Sequence, residues 1–160
     1  MTDTASFGGM NIQDIKVGMS SSYSQTITDA NVKSFAEISG DSNPVHMSDE
    51  YASASRLRRR VAHGLMSASF FSALFGTRIP GAGCVYVSQS LNFKRPVYIG
   101  DTVTAIVTVK AVEATKRHVY FETICTVKGK VVIAGEADIY IPSAKRQQRS
   151  GYLAPTQSAL

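Results

Sequence analysis

Apolar residues along the chain change from a helical spacing in the first half to an alternating spacing in the second half. Residues 19–27 have the character of a strand, and Thr28 is suited to cap the helix that follows, with Asp29 in its first turn. Four apolar positions form a stripe on this helix: Val32, Phe35, Ala36 and Ile38. Residues 48–54 are consistent with a short helical turn. The first half therefore predicts one strand followed by helices.

A longer helix is predicted over residues 63–77, HGLMSASFFSALFGT. Its apolar side chains surround the helical wheel on nearly every side: Leu65, Met66, Ala68, Phe70, Phe71, Ala73, Leu74 and Phe75. A helix that is apolar all round is normally buried in a core. The segment is too short to cross a bilayer, and the chain has no run of about 18 apolar residues, so we expect no membrane partner.

Beyond Pro80, apolar residues alternate with polar ones, as is typical of half-buried strands. The alternating positions form two groups: Val85, Val87, Leu91 and Phe93, and then Val103, Ala105, Val107 and Val109. Residues 118–127 and 131–141 follow, and Lys128-Gly129 between them predicts a tight hairpin. Four strands after one buried helix predict an α+β fold in which an antiparallel sheet wraps around that helix.

Composition is that of an ordinary globular protein. With 160 residues, 44% of them hydrophobic, the chain is long enough for one domain with its own core. We expect this domain over residues 17–142, between a flexible lead-in over residues 1–16 and a polar tail over residues 143–160. The first residues lack a basic region followed by an apolar one, so we expect no secretory signal. Cys84 and Cys125 have no CxxC spacing, which indicates buried thiols in a reducing cytoplasm.

The net charge of +5 is concentrated in two basic clusters. Their members are Arg56, Arg58, Arg59 and Arg60 in the first, and Lys145, Arg146 and Arg149 in the second. Clusters of this kind attract polyanions in general. The sequence contains neither zinc-finger spacing nor an RNA-binding aromatic motif, so nucleic acid is not an expected partner. Two interpretations stay open: solvated surface arginines, or a site for the phosphates of a nucleotide-containing ligand.

The residues most suited to chemistry lie in the segment 35–52, FAEISGDSNPVHMSDEYA. Asp41 precedes His46 by five positions, and Asn43 and Pro44 between them favour a turning backbone. Asp and His commonly move protons near neutral pH. Addition of water across a polarised double bond requires such groups, together with donors for the developing oxyanion. The alternative is structural: Asp41 would cap a turn, and His46 would bond a buried backbone group.

The oxyanion donors could come from His63 and Gly64, at the start of the buried helix. Free N–H groups and the helix dipole favour negative charge there, although Gly64 would equally permit tight packing. Ser69, in the first turns of this helix, either faces the loop or bonds its own helix backbone. A metal set of Asp41, His46 and His63 is disfavoured, because none of the three histidines in the chain has helical ligand spacing.

These residues resemble the signature of the MaoC-like (R)-specific enoyl-CoA hydratases, which have the hot-dog fold. That signature is an aromatic residue, a short apolar stretch, a small residue, Gly-Asp-x-Asn-Pro-aliphatic-His, and a small residue six positions later. It is matched in full, by Phe35, Ile38, Ser39, Gly40, Asp41, Asn43, Pro44, Val45, His46 and Ala52. VAHGLMSASFFSALFG (residues 61–76) and YVSQSLNFKRPVYIGD (residues 86–101) also resemble the family. The resemblance covers about residues 17–142.

The resemblance implies reversible syn hydration of trans-2-enoyl-CoA to (R)-3-hydroxyacyl-CoA. The coenzyme A thioester would be the substrate, without a cofactor and without a metal. Asp41 would act as the base toward water and His46 as the donor to the α-carbon, or these roles would be exchanged or shared. Asn43 would orient the loop or the water, and Ser69 aligns with a serine that supports the site in members acting on short chains.

The resemblance also implies binding groups and an assembly. Gly64, with His63 beside it, would offer its N–H to the thioester oxygen. Five basic residues are candidates for binding the CoA phosphates: Arg58, Arg59, Arg60, Lys94 and Arg95. A homodimer with two sheets edge to edge is expected, with the acyl tunnel near that interface. Two alternatives stay open: a hot-dog acyl-CoA thioesterase, and a non-catalytic protein that binds acyl-CoA or acyl-carrier protein.

Overall fold

The computed structural model describes residues 8–143, which form an antiparallel sheet and a long buried helix, the predicted α+β arrangement. A short 3-10 helix (Ile12–Asp14) is followed by the helices α1 (Asp29–Ser39), α2 (Pro44–Met47), α3 (Asp49–Ala54) and α4 (Gly64–Thr77). The strands are β1 (Ser20–Thr26), β2 (Val85–Gln89), β3 (Asn92–Phe93), β4 (Thr102–Glu113), β5 (His118–Val127) and β6 (Lys130–Tyr140).

The sheet has the strand order β1-β4-β5-β6-β2, β3 also pairs with β6, and every pairing is antiparallel. The predicted hairpin between β5 and β6 is confirmed. Lys128 and Gly129 have φ angles of 50° and 74°, the left-handed conformation that a tight two-residue turn requires.

The single strand predicted for the first alternating group is wrong, because the structure has the two strands β2 and β3 there. Both pair with β6 in one register, with Gln89 opposite Ala137 and Asn92 opposite Ala134, and the register shift lies within β2, between Tyr86 and Ser88. Between the two strands, Ser90 N–H donates to Glu136 O. Between β2 and β3 the chain passes close to Gly135 of β6, where an added Cβ would lie 1.8 Å from Ser90 O. This close approach therefore depends on glycine at position 135.

Helix α4 packs against β1, β4 and β5 and contributes the largest side chains of the core. Phe71, Leu74 and Phe75 are almost completely buried, and each contributes roughly 1.5–3 kcal/mol through burial of its apolar surface. The prediction that α4 is buried on all sides is wrong for one face. Leu65 is 61% exposed, because no element within residues 8–143 covers that side of the helix.

The segments that precede the site are fixed by local hydrogen bonds. Thr28 caps α1 as predicted: Asn31 N–H donates to Thr28 Oγ1 (3.1 Å), and Thr28 N–H donates to Asn31 Oδ1 (2.9 Å).

The predicted apolar stripe of α1 is wrong at Ile38, which lies in the last turn and is 84% exposed. The predicted end of the lead-in at residue 16 is also corrected, because Ile12 and Ile15 are buried in the core.

Residues 1–7 and 144–160 lie outside the described residues, and so do most of the predicted tail and its basic cluster. Within residues 8–143, no helix combines the length and the hydropathy needed to span a membrane.

Candidate active site

The loop of residues 41–46 is shaped by hydrogen bonds between side chains and the backbone two residues further on. Gly40, with a φ of 77°, ends α1 in a left-handed conformation that favours glycine. Asp41 Oδ1 then accepts from Asn43 N–H (3.1 Å), and Asn43 Oδ1 accepts from Val45 N–H (3.2 Å). Pro44 occupies the first position of α2. These successive turns bring the side chains of Asp41 and His46 to one side of the loop.

Asp41 and His46 face each other across a short gap. His46 Nδ1 lies 2.8 Å from Val61 O, and because a carbonyl only accepts, this nitrogen carries the proton. The free Nε2 atom of His46 lies 4.0 Å from Asp41 Oδ2. That separation is too long for a direct hydrogen bond, but one water molecule about 2.8 Å from each atom would bridge it. The carboxylate is half-exposed and therefore accessible from the cavity.

His63 is buried beside Asp41 and His46 rather than exposed to solvent. Its side chain is almost fully buried, and its Nε2 lies 2.9 Å from the backbone oxygen of Asp41, so Nε2 carries the proton. The His63 ring stacks on the His46 ring, with their centroids 3.9 Å apart. The centroid of the Phe35 ring lies 5.0 Å from that of the His63 ring. His63 Nδ1 is buried and has no hydrogen-bond partner within residues 8–143.

The pair opens into a cavity of about 590 Å³ at the start of α4. Polar groups of Asp41, His46 and His63 line one part of it, and Gly64 lies beside them. The rest is mainly apolar, with contributions from Phe35, Leu57, Val61, Leu65, Phe93, Pro96, Val97 and Ile133. A cavity that is mostly apolar with a few convergent polar groups is typical of a site for a small organic ligand.

Gly64 is the first residue of α4, so its N–H has no acceptor within the helix. The described residues provide no other acceptor for it. A Cβ atom at this position would lie 2.5 Å from the ring of Phe93, which also lines the cavity. Glycine therefore allows the Phe93 ring to approach and leaves a free donor at the wall of the cavity.

The five predicted CoA-binding residues are not equivalent in the structure. Lys94 and Arg95 are exposed and line the cavity. Arg58 and Arg59 are exposed but do not line it, and the Arg59 guanidinium lies 4.0 Å from the centre of the Tyr98 ring.

The assignment of Arg60 to phosphate binding is corrected. Its side chain is only 9% exposed, and its Nε donates to His46 O at 2.7 Å. The guanidinium also forms an ion pair with Asp29 and lies 3.7 Å from Asp49. Hydrogen bonds from Lys33 and Arg60 hold the pKa of the Asp29 carboxyl below its ordinary value of 3.8. Arg60 is thus committed to partners within the protein.

Two further predicted site residues lie outside the cavity. Asn43 caps α2 with its side chain, in agreement with a role in orienting the loop but not with direct contact to a ligand. Ser69 lies on the exposed face of α4, and its hydroxyl donates to Met66 O (2.6 Å). The structure therefore does not bring Ser69 to the site, and the helix-backbone alternative applies.

Ser67 is a site residue that sequence reasoning missed. It lines the cavity, it is fully buried, and its hydroxyl has no hydrogen-bond partner within residues 8–143. Its position, four residues after His63, could have indicated it, because residues with this spacing share one face of a helix.

The disfavoured metal set of Asp41, His46 and His63 is brought together by the fold. One ligand atom of each residue lies within 4.8 Å of the other two. However, His63 Nε2 already donates to Asp41 O, and a metal ion bound at this nitrogen would have to displace that hydrogen bond. The arrangement therefore suits proton transfer at His46 and Asp41 better than coordination.

Comparison with known proteins identifies the family. Residues 11–134 match the family model of the MaoC like domain, and the chain therefore belongs to this family. An (R)-specific enoyl-CoA hydratase from Rhodospirillum rubrum is 51% identical over 131 residues, which are 82% of this chain and 91% of that protein. A 3-hydroxybutyryl-CoA dehydratase from Methylorubrum extorquens is 42% identical over 130 residues, 81% of this chain and 83% of that protein.

Comparison with a solved structure identifies the fold. The (R)-hydratase from A. caviae superposes with a TM-score of 0.79 at 37% sequence identity. The match covers 81% of this chain and 99% of that chain. The fold is thus the hot-dog fold, as the resemblance implies.

Proposed function

We propose that this protein is an (R)-specific enoyl-CoA hydratase, which adds water reversibly to trans-2-enoyl-CoA and forms (R)-3-hydroxyacyl-CoA. One observation carries the proposal: Asp41 Oδ2 and His46 Nε2 lie 4.0 Å apart at the wall of a cavity that Gly64 also lines. The names of the two relatives above, a hydratase and a dehydratase, describe the two directions of such a reaction.

The protonation states of the pair define the first step. Neutral His46 carries its proton on Nδ1, so its Nε2 and the ionised Asp41 both accept protons. A water molecule between them loses one proton to this pair as its oxygen bonds to the β-carbon. The π electrons of the double bond shift toward the thioester oxygen, where the Gly64 N–H stabilises the negative charge.

The second step returns the proton. The group that took it from water donates it to the α-carbon, and the thioester carbonyl re-forms. Because the water and the proton come from the same side of the cavity, the addition is syn. Neither residue is a proton donor at rest, so the initial assignment of Asp41 as base and His46 as donor becomes one of shared roles.

Other groups of the cavity suit the rest of the substrate. The apolar wall around Val97 and Ile133 suits contact with an acyl chain, and the positive charges of Lys94 and Arg95 suit contact with the phosphates of coenzyme A.

We infer a cytoplasmic location, because Cys84 and Cys125 are free thiols and a reducing compartment keeps thiols in this form.

We also propose that the enzyme is a homodimer formed along β2. This strand is at an edge of the sheet, and its side chains are exposed on both faces, including Val85 and Val87. An apolar edge strand with unpaired backbone groups is a template for pairing with another chain. A second copy of the same strand would satisfy these groups and cover the exposed apolar side chains.

The activity is tested with crotonyl-CoA, whose conjugated thioester absorbance falls as water is added. We expect wild-type protein to bleach this absorbance and to form the (R) product, as judged by chiral analysis. Asp41→Asn and His46→Gln should each lower kcat by about 100- to 10,000-fold, the usual contribution of general acid–base catalysis. Full activity in both variants would exclude the proposed site, while release of free thiol would indicate a thioesterase. Tight acyl-CoA binding without turnover would indicate a binding protein.

A further inference from the structure

The segment of residues 60–63 forms hydrogen bonds with both ends of the 41–46 loop. Arg60 Nε donates to His46 O (2.7 Å), and His63 Nε2 donates to Asp41 O (2.9 Å). In the proton-transfer pair, the backbone oxygen of His46 is thus bound by a buried guanidinium, and that of Asp41 by a buried imidazole. We propose that Arg60 and His63 are positioning residues, which hold Asp41 and His46 at the separation that the reaction requires.

Val61, which lies between Arg60 and His63 in the chain, forms two further hydrogen bonds with the loop through its backbone. Val61 N–H donates to Val45 O (3.2 Å), and Val61 O accepts from His46 Nδ1 (2.8 Å). The segment is itself fixed from the opposite side, where Ala62 N–H donates to Val97 O (2.7 Å). The loop is therefore joined to residues 60–63 by four hydrogen bonds, and that segment is in turn bound to Val97.

The two positioning side chains are themselves held by further contacts. Arg60 is anchored by its ion pair with Asp29 in the first turn of α1. His63 is held between Phe35 and the ring of His46. Each positioning residue thus connects the loop to helix α1, which precedes it in the chain.

Placement of the oxyanion donor depends on the same segment. His63 is the N-cap of α4, and Gly64 follows it directly. A shift of His63 would therefore move both the backbone of Asp41 and the N–H of Gly64. A displacement of about 1 Å in such an arrangement lowers a rate by about 100-fold, because the reacting atoms lose their alignment.

This inference rests on the proposed function, but it has a readout that does not need activity. The hydrogen bonds require opposite tautomers, with the proton on Nδ1 in His46 and on Nε2 in His63. Nitrogen-15 NMR of the imidazole rings distinguishes the two tautomers in the resting protein. We expect both signatures in wild type, and loss of the fixed Nδ1–H signature of His46 in Arg60→Met.

The kinetic test uses conservative variants and matched controls. Arg60→Met and His63→Leu should lower kcat for crotonyl-CoA about 10- to 100-fold with little change in KM. His63→Gln, which retains a donor at similar reach, should recover part of the loss. Arg117→Met is the control for Arg60, because Arg117 donates to the backbone oxygens of Ile141 and Pro142, in a part of the fold that does not line the cavity.

His118→Leu is the corresponding control for His63, since His118 bonds Asp138 on the sheet. Both controls should lower stability without lowering kcat per folded molecule. Arg60→Lys provides a second test should Arg60→Met fail to fold, because lysine keeps the charge beside Asp29 but loses the fork of donors.

The outcomes separate the two proposals. The positioning proposal is overturned if Arg60→Met and His63→Leu lose no more kcat than their controls, or if wild-type His46 and His63 have the same tautomer. An inactive wild-type protein with the two opposite tautomers would instead contradict the hydratase and leave the positioning network intact.

Discussion

His46 and His63 stack with an interplanar angle of 30°, yet their protons point to different carbonyl groups. The His46 proton is bound by Val61 O, and the His63 proton is bound by Asp41 O. Only His46 therefore presents a free ring nitrogen toward the Asp41 carboxylate. The two neighbouring imidazoles thus have different environments: His46 Nε2 is free beside the Asp41 carboxylate, and His63 Nε2 binds the backbone oxygen of Asp41.

The first prediction concerns the donor at the start of α4. Gly64→Ala would put a Cβ atom 2.5 Å from the Phe93 ring, which must move into or out of the cavity. We expect kcat/KM for crotonyl-CoA to fall at least about tenfold, which corresponds to roughly 1.4 kcal/mol of transition-state stabilisation. Steady-state kinetics with near-UV circular dichroism as a check on folding measures this effect.

Gly76→Ala is the control on the same helix. An added Cβ at Gly76 meets no atom within 4 Å, so the variant should keep its activity. It should also be more stable, by about 0.5–1 kcal/mol, because alanine favours a helix more than glycine does. Equal activity in both glycine variants would contradict a role for Gly64.

The shape of the 41–46 loop was predictable because its hydrogen bonds are local. Asp41, Asn43 and Val45 are linked at a spacing of two residues, and such turns are encoded by the residues themselves. The same is true of the cap at Thr28 and of the hairpin at Lys128-Gly129. In each case the sequence contains both partners of the interaction within a few positions.

The roles of Arg60 and Ser67 were not predictable, because their environments depend on distant segments. Arg60 follows Arg58 and Arg59 in sequence, but Arg58 adopts a φ of 65° and the chain turns Arg60 inward, toward Asp29. The family resemblance and the charge cluster do not distinguish Arg60 from Arg58 and Arg59, so the same role is predicted for all three. The exposure of Leu65 was missed for a similar reason, since the pattern of one helix does not reveal which face lacks a neighbour.

A second prediction concerns the unpartnered hydroxyl of Ser67. Burying a polar group without a hydrogen bond costs about 1–3 kcal/mol. Ser67→Ala should therefore keep or raise the free energy of unfolding, measured by urea denaturation. Thr123→Val is the comparison, because Thr123 is equally buried but its Oγ1 accepts from Gln89 Nε2 (2.8 Å). This variant should lose about 0.5–1.5 kcal/mol, because it removes one hydrogen bond while Gln89 Nε2 keeps its bond to Ser90 O.

Activity adds a second readout for Ser67. A lower kcat/KM in a stable Ser67→Ala protein would indicate that the bound substrate supplies a partner for the hydroxyl. Strong destabilisation by Ser67→Ala would contradict the assignment of an unsatisfied group.

The third prediction is a pH dependence at Asp29. Its pKa in the folded protein is lowered by hydrogen bonds from Lys33 and Arg60, so the folded state binds a proton less readily than the unfolded state does. The resulting stabilisation is present above the ordinary value of 3.8 and is lost as the pH falls through the lowered folded pKa. The stability difference between wild type and Asp29→Asn should therefore decline in acid.

Urea unfolding of both proteins between about pH 7 and pH 2 measures this difference. Glu37→Gln is a control on the same helix, since Glu37 is exposed and forms no ion pair within residues 8–143. A difference for Asp29→Asn that stays constant to the lowest pH would show that its ion pairs contribute nothing.

The fourth prediction concerns the proposed dimer edge. Val87 lies in β2 and is 50% exposed, so a second copy paired along this strand would bury it. Val87→Lys would place a charge in that interface, and lysine on an edge strand opposes pairing. We expect size-exclusion chromatography with light scattering to give a dimer for wild type and a monomer for this variant. Ile38→Lys, at an exposed position on α1, should remain a dimer. A monomeric wild type would refute the dimer, and a dimeric Val87→Lys protein would move the interface away from β2.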